Sequence, residues 1–230
     1  MLSHALPMSA KMAFHEAHWL LFDLGNTLVS EDAATECRIQ RLVEALLRHG
    51  RRYSRDKVRS AFEEASATFA PRPVITVIEK LVDDPACRRA VAMEAPYPKE
   101  LEAPFDEAED VLRTLSASYK IGVIANQSVS STERLTKWGL MPYISTCLCS
   151  FELGLEKPDP AIFKLALGRA GCAAFQAVII GDRLDNDIRP ARLLGWKTIR
   201  VLRGFARFQS PRDMWDEPDL TLLHVRALIG

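Results

Sequence analysis

The sequence has no charge of one sign to spare: thirty basic residues balance thirty acidic ones over 230 positions. Nothing in that balance favours nucleic acid or an anionic membrane as an obligatory partner, so the expected ligand is local and small. Cysteine is sparse and unpaired. Cys37, Cys87, Cys147, Cys149 and Cys172 form an odd, scattered set without CxxC spacing, which indicates neither a disulfide framework nor a zinc site and fits a reducing cytoplasm. Cys147 and Cys149 stand two apart in an apolar stretch and would share one strand face as core. Residues 1–17 lack a long apolar stretch and include Pro7, Lys11, His15 and Glu16, so they read as a loose leader and not as a signal peptide or membrane anchor. No internal repeat or low-complexity tract is visible, and oligomeric state leaves no mark.

What is present is a chain 48% hydrophobic and 26% charged, which suits one large globular domain or a domain carrying a modest insertion. The run Trp19-Leu20-Leu21-Phe22 is too short for a helix and ends at the Gly25-Asn26 turn signal, as a buried parallel strand would. Asp23 then stands at the carboxyl end of that strand, the edge at which open α/β sheets bind ligands. From Ala33 to Ala103 the pattern turns helical, with Ile39, Leu42, Val43, Leu46 and Leu47 on one face and Val58, Ala61, Phe62, Ala65 and Phe69 on another. Gly50, Pro71, Pro73 and Pro85 punctuate the block, and Pro96, Pro98 and Pro104 close it like a hinge.

Past Pro104 strand and helix alternate. Strands are expected over 121–125, 146–149, 178–180 and 198–202, and helices from Asp106, Ser130 and Asp159 and over 187–194. Such alternation implies α/β architecture, a doubly wound parallel sheet of Rossmann-like form. The predicted core is 18–32 with 104–230, and the predicted insertion is a small all-α cap at 33–103. Asp106 and Glu109 have capping-box spacing, while Gly139 and Gly195 fall where helices should stop. Trp138 and Trp196 read as core. His49, beside Gly50, reads as a polar helix cap.

Three segments converge on one sheet edge: 23–27, 125–128 and 181–187, with Lys157 in a fourth loop. The segments Asp23-Leu24-Gly25-Asn26-Thr27, Ala125-Asn126, Lys157-Pro158-Asp159-Pro160 and Gly181-Asp182-Arg183-Leu184-Asp185-Asn186-Asp187 resemble, in order, the four motifs of the haloacid dehalogenase superfamily. The likeness spans Trp19 to Leu202, and the helical block stands where many members carry a cap. It implies a hydrolase in which Asp23 is the nucleophile, able to hold a phosphoryl group as an acyl phosphate. Three clustered carboxylates repel unless a cation neutralises them, and Mg²⁺ is the natural one. By the resemblance its ligands are Asp23, the Gly25 carbonyl and Asp182, with Asp187 helping. Lys157 would neutralise nucleophile and phosphate; Asn126 and the Ala125 backbone would contact substrate. Arg183 could fork onto a substrate anion or pair with Asp185 or Glu156.

Two positions depart from the pattern. Most phosphatases of this superfamily have a second Asp two residues past the nucleophile as general acid and base, and here that position is Gly25. The usual Ser or Thr ending the second strand is Ala125. The expected activity is therefore a Mg²⁺-dependent phosphatase of a small phosphorylated metabolite, without its usual proton shuttle. A degenerate phosphate-binding or interaction protein is the alternative. Carbon–halogen hydrolysis is a weaker one, since dehalogenases also lack the second Asp, and retention of Asp182 and Asp187 argues against that metal-free branch.

Overall fold

A computed structural model describes residues 14–230. The chain divides into two compact units. The first runs up to Val29 and takes in Pro104–Arg203 and Pro211–Gly230, and the second holds Ser30–Ala103 and Gly204–Ser210. The chain thus leaves the first unit three residues earlier than the sequence pattern suggests, and it returns to the second for a short excursion that the pattern did not reveal.

The first unit is a six-stranded sheet numbered here β1 (Trp19–Phe22), β2 (Lys120–Ala125), β3 (Thr146–Cys149), β4 (Ala177–Gly181), β5 (Lys197–Val201) and β6 (Leu220–Leu222). Every pairing is parallel, in the order β3-β2-β1-β4-β5-β6. Central β1 is buried on both faces: Leu20 and Phe22 join one apolar cluster, and Leu21 joins another. That is why four consecutive apolar residues, and not an alternation, mark this strand. The chain winds to one side of β1 through β2 and β3, then to the other through β4 to β6. The reversal lies between β1 and β4, where a doubly wound sheet opens a crevice at its carboxyl edge.

The expected strands form within a residue or two of their predicted ends. β6 escaped notice because Leu220-Thr221-Leu222 is short, only partly buried and preceded by the polar segment 209–219. Residues 1–13 of the predicted leader lie outside the described residues. Phe14 and Ala17, at its end, are buried in the sheet's apolar cluster, because a ring of that size gains more from burial than from serving as a tether. The helix from Ala108 to Ser116 begins at Glu107 with no side-chain cap, so the Asp106/Glu109 capping box does not form. Gly139, Gly171 and Gly195 all have positive φ and end helices, as glycine does best. Cys149 and Trp196 are buried, Trp196 in the cluster that holds Leu21, while Cys147 and Trp138 pack partly buried against the cluster that holds Leu20 and Phe22.

The second unit is built from helices α1 (Asp32–Arg48), α2 (Arg55–Ala67), α3 (Pro73–Leu81) and α4 (Pro85–Glu94). Ile39, Leu42, Leu46, Val58, Ala61, Phe62 and Ala65 make its own core. Leu47, expected on the buried face of α1, is 52% exposed. At 100° per residue it stands about 80° from Ile39, on the margin of the stripe. Phe69 has φ 59 and is only partly buried, beyond the end of α2. Phe205 stacks on Phe62 with ring centroids 5.5 Å apart, which accounts for the excursion of 204–210. His49 caps α1 and bonds Glu94 at 2.8 Å.

Candidate functional site

The site grows out of the carboxyl edge of β1, β2 and β4. The β1 ladder pairs Phe22 with Ile180 and continues one step further, where the Asp23 N–H donates to the Ile180 carbonyl at 2.8 Å. Asp23 is thereby fixed beside the end of β4, and Asp182 is the first residue after that strand. The chain from Leu184 to Ile188 then forms a wide helical turn, and α5 (Arg189–Leu193) follows. This turn brings Asp187 back against the strand. Asp23, Asp182 and Asp187 each offer a carboxylate oxygen, all within 4.8 Å of one another, with Asp182 and Asp187 buried.

Gly181 makes that return possible. A β-carbon on it would lie 2.5 Å from both Cγ and Oδ2 of Asp187, a separation that real side chains do not tolerate. The glycine is therefore a spacing requirement: the carboxylate occupies the volume a side chain would take.

Lys157 reaches the cluster from the loop after β3. Its ammonium donates to Asp23 Oδ1 at 2.5 Å and to Asp187 Oδ1 at 2.6 Å, with the side chain 2% exposed. Burial alone would lower the lysine's pKa, but the charges of Asp187 and Asp23 outweigh it and hold the amine firmly protonated. Burial pushes the Asp187 carboxyl up to about 6; Lys157 works against that push, and the negative charge of Asp23 adds to it. The other Asp187 oxygen accepts the Arg183 backbone N–H at 3.0 Å.

Asn126, one residue past β2, meets Lys157 through its backbone. The amide nitrogen of its side chain donates to the Lys157 carbonyl at 2.7 Å, and its amide oxygen accepts the Lys157 N–H at 2.8 Å. Both ends of the amide thus hold the lysine's own peptide units. Ala125 is fully buried as the last residue of β2, with its methyl in the sheet's apolar cluster. The next residue is braced as well: Ser150 Oγ accepts the Gln127 N–H at 2.9 Å and donates to the Gln127 carbonyl at 3.1 Å. Ser150 went unnoticed because a serine ending an apolar strand carries no sequence signal of its task.

Of the partners open to Arg183, the structure contains Asp185, in a fork with contacts of 3.0 and 2.5 Å. Arg200 is buried and directs its Nε to the Asp182 carbonyl at 3.4 Å. Arg203 pairs with Glu107 at 2.6 Å and lies over the Phe105 ring. Among the described residues no helix is long and apolar enough to cross a membrane.

The arrangement joins a partly exposed carboxylate, a locked ammonium and two buried carboxylates, a set suited to nucleophilic attack on an anionic centre. Known proteins similar to this chain are plentiful. The chain is 28% identical over 220 residues to a glyceraldehyde 3-phosphate phosphatase of Methanopyrus kandleri, covering 91% of this chain and 94% of that one. It is 38% identical to a phosphoserine phosphatase of Thermus thermophilus over a shorter stretch of 96 residues, 42% of this chain and 37% of the relative. A magnesium-bound HAD-hydrolase structure from Bacillus subtilis shares the fold, with a TM-score of 0.66 at 20% identity over 92% of this chain and 96% of that one. The family model matches residues 20–201, a span that contains all four motifs, and the chain belongs to the haloacid dehalogenase-like hydrolases.

Proposed function

We propose that the protein is a magnesium-dependent phosphatase of small phosphorylated metabolites, working through an aspartyl-phosphate at Asp23. The observation that carries this reading is the Lys157 ammonium bridging Asp23 and Asp187 inside the three-carboxylate group. The relatives named as phosphatases support the substrate class.

The donor set fits magnesium. Three carboxylates against one lysine leave excess negative charge, and every side-chain donor is a hard oxygen. Asp23, the Gly25 carbonyl, Asp182 and Asp187 would hold the ion. When bound, it would neutralise charge on a phosphoryl group as a Lewis acid. Asp23, the most exposed of the three carboxylates, attacks phosphorus. Lys157 keeps the nucleophile oriented and offers positive charge to the phosphoryl oxygens. Asn126 orients Lys157, and the backbone at Ala125 and Asn126 supplies donors to the substrate. Arg183 contributes to substrate binding by exchanging Asp185 for a substrate anion. All five cysteines are free, in keeping with a cytoplasmic setting.

The test is turnover of a panel of phosphate esters with Mg²⁺ and with chelator. Activity is expected only with the ion and is expected to vanish in Asp23→Asn. Undiminished turnover in that variant would sink the mechanism. Gly25 and Ala125 favour a second reading, a phosphate binder without turnover. It expects stabilisation against heat by phosphate or Mg²⁺ and no hydrolysis of any ester.

A further inference from the structure

Gly25 stands two residues past Asp23 in a turn closed by four backbone bonds: Asn26 N–H to the Val29 carbonyl at 2.7 Å, and the N–H groups of Thr27, Leu28 and Val29 to the Leu24 carbonyl at 3.4, 3.0 and 2.9 Å. The left-handed residue of this turn is Asn26, with φ 52; Gly25 is not among the glycines with positive φ. No left-handed backbone conformation therefore requires glycine at 25. The missing side chain bears on chemistry.

Three polar side chains beside Asp23 in this unit are already committed. Lys157 spends its hydrogen bonds on Asp23 and Asp187, and Asn126 spends its amide on the Lys157 backbone. Arg183 is forked onto Asp185. Among the described residues no further His, Cys, Asp or Glu joins the Asp23, Asp182 and Asp187 group. Nothing in that set is free to hand a proton to a departing oxygen. We infer that the substrate is a phosphate whose leaving group needs none, an acyl phosphate above all, with aryl phosphates as its nearest chemical relatives. This inference rests on the Asp23 nucleophile proposed above.

The steps balance without an acid. A carboxylate oxygen of Asp23 attacks phosphorus, the bond from phosphorus to the acyl oxygen breaks, and its electron pair leaves on a carboxylate that is stable at neutral pH. Water then attacks the phosphorus of the Asp23 mixed anhydride. The electron pair of the phosphorus–oxygen bond returns to Asp23, the water proton passes to solvent, and inorganic phosphate forms. An alkyl phosphate would instead have to expel a strongly basic alkoxide. General acid catalysis is commonly worth about 10²–10⁴-fold, the scale of the handicap on such substrates.

The experiment measures kcat/KM of the full chain, with Mg²⁺, for acetyl phosphate, 4-nitrophenyl phosphate, phenyl phosphate and glycerol phosphate. Gly25→Asp, Gly25→Asn and Asp23→Asn are measured beside it. Acetyl and nitrophenyl phosphates are expected to exceed glycerol phosphate by about 100-fold or more. Gly25→Asp should narrow that gap at least about tenfold; Gly25→Asn, similar in size but without an acid, should not. The intrinsic lability of each ester is common to all variants, so the change in the gap isolates the acid. Wild-type cleavage of glycerol phosphate at a rate comparable to acetyl phosphate would overturn the inference while leaving the nucleophile intact, provided Asp23→Asn is dead. Turnover that survives Asp23→Asn would instead remove the reading beneath it. Absence of turnover together with a phosphoryl group on Asp23 by intact mass counts in favour; absence of both overturns inference and reading alike. Should Gly25→Asp melt well below wild type, wild-type cleavage of glycerol phosphate at a rate comparable to acetyl phosphate still overturns the inference, and a phosphoryl group held on Asp23 still supports it.

Discussion

At the scale of the residue, two sheet glycines separate packing from function. A methyl at Gly122 would meet Thr146 Cγ2 at 3.0 Å and Leu21 Cδ2 at 3.2 Å, both ends of side chains that can shift. A methyl at Gly181 would fall on the Asp187 carboxylate at 2.5 Å, and that carboxylate is held by Lys157 on one oxygen and by the Arg183 amide on the other. Overfilling a tight interior commonly costs about 1–3 kcal/mol, and we expect Gly122→Ala and Gly181→Ala both to lower the melting temperature. Only Gly181→Ala should also move Asp187 and loosen the Lys157 bridge, so phosphatase activity should fall by at least about tenfold there and little in Gly122→Ala. Equal activity losses in the two variants would mean that Asp187 is not positioned by this contact. The motif Gly181-Asp182 was readable in the sequence, but its steric reason was not: no sequence pattern states that a residue six positions on will fill the space of a missing β-carbon.

At the scale of the element, the loops after β2 and β3 act as one frame. Asn126 holds Lys157 from one side, Ser150 holds Gln127 from the other, and Ser130 Oγ donates to Glu152 at 2.6 Å. Asp159 caps the long helix Pro160–Ala170 by accepting the Ala161 N–H at 2.8 Å, which fixes the chain two residues past the lysine. Replacing Asn126 by alanine removes both bonds to the Lys157 backbone at a cost of about 1–3 kcal/mol for the partners left unpaired. It should also lower kcat/KM through misplacement of the ammonium. Asp159→Ala removes the cap alone, costing about 1 kcal/mol with a much smaller loss of kcat/KM. Thermal melts and steady-state kinetics on the pair check this, and an Asn126→Ala enzyme with wild-type kcat/KM would detach that residue from the lysine's placement. The strands and the order of the motifs were legible because parallel strands buried on both faces write continuous apolar runs, and because glycine and proline mark their ends. The frame was not legible, since a single Ser or Asn bonding across 23 or 31 residues leaves no periodicity. Arg183 shows the limit plainly: its sequence allowed a substrate anion, Asp185 or Glu156 as partner, and only the folded loop brings Asp185 within reach of both guanidinium nitrogens.

At the scale of the whole molecule, the far edge of the α/β unit depends on a segment that the sequence left blank. Asp216 is fully buried; its Oδ2 accepts Arg212 Nε at 2.6 Å, and its Oδ1 accepts Arg189 at 3.1 Å, from the helix that follows the Asp187 turn. Three residues on, Asp219 accepts the Thr198 N–H at 2.8 Å and Arg192 at 3.1 Å, tying β6 to β5 and to that same helix. Burial alone would raise the Asp216 carboxyl, but the bonds from Arg212 and Arg189 prevail and hold it below its ordinary value. A carboxylate lowered in the folded state adds stability that is fully present above its unfolded pKa of about 4, and that stability is lost as pH falls through the folded value. Asp216→Asn should therefore destabilise the α/β unit at neutral pH by about 1–3 kcal/mol, and the difference from wild type should shrink in acid below pH of about 4. Urea unfolding of both proteins across that range measures it. Because Arg212 is half exposed and Asp216 is not, added salt should weaken the effect less than for a surface pair. A gap between the two proteins that stayed constant into acid would show that the side chain acts through shape alone, and not through the charge that fastens the carboxyl-terminal segment to the helix behind the site.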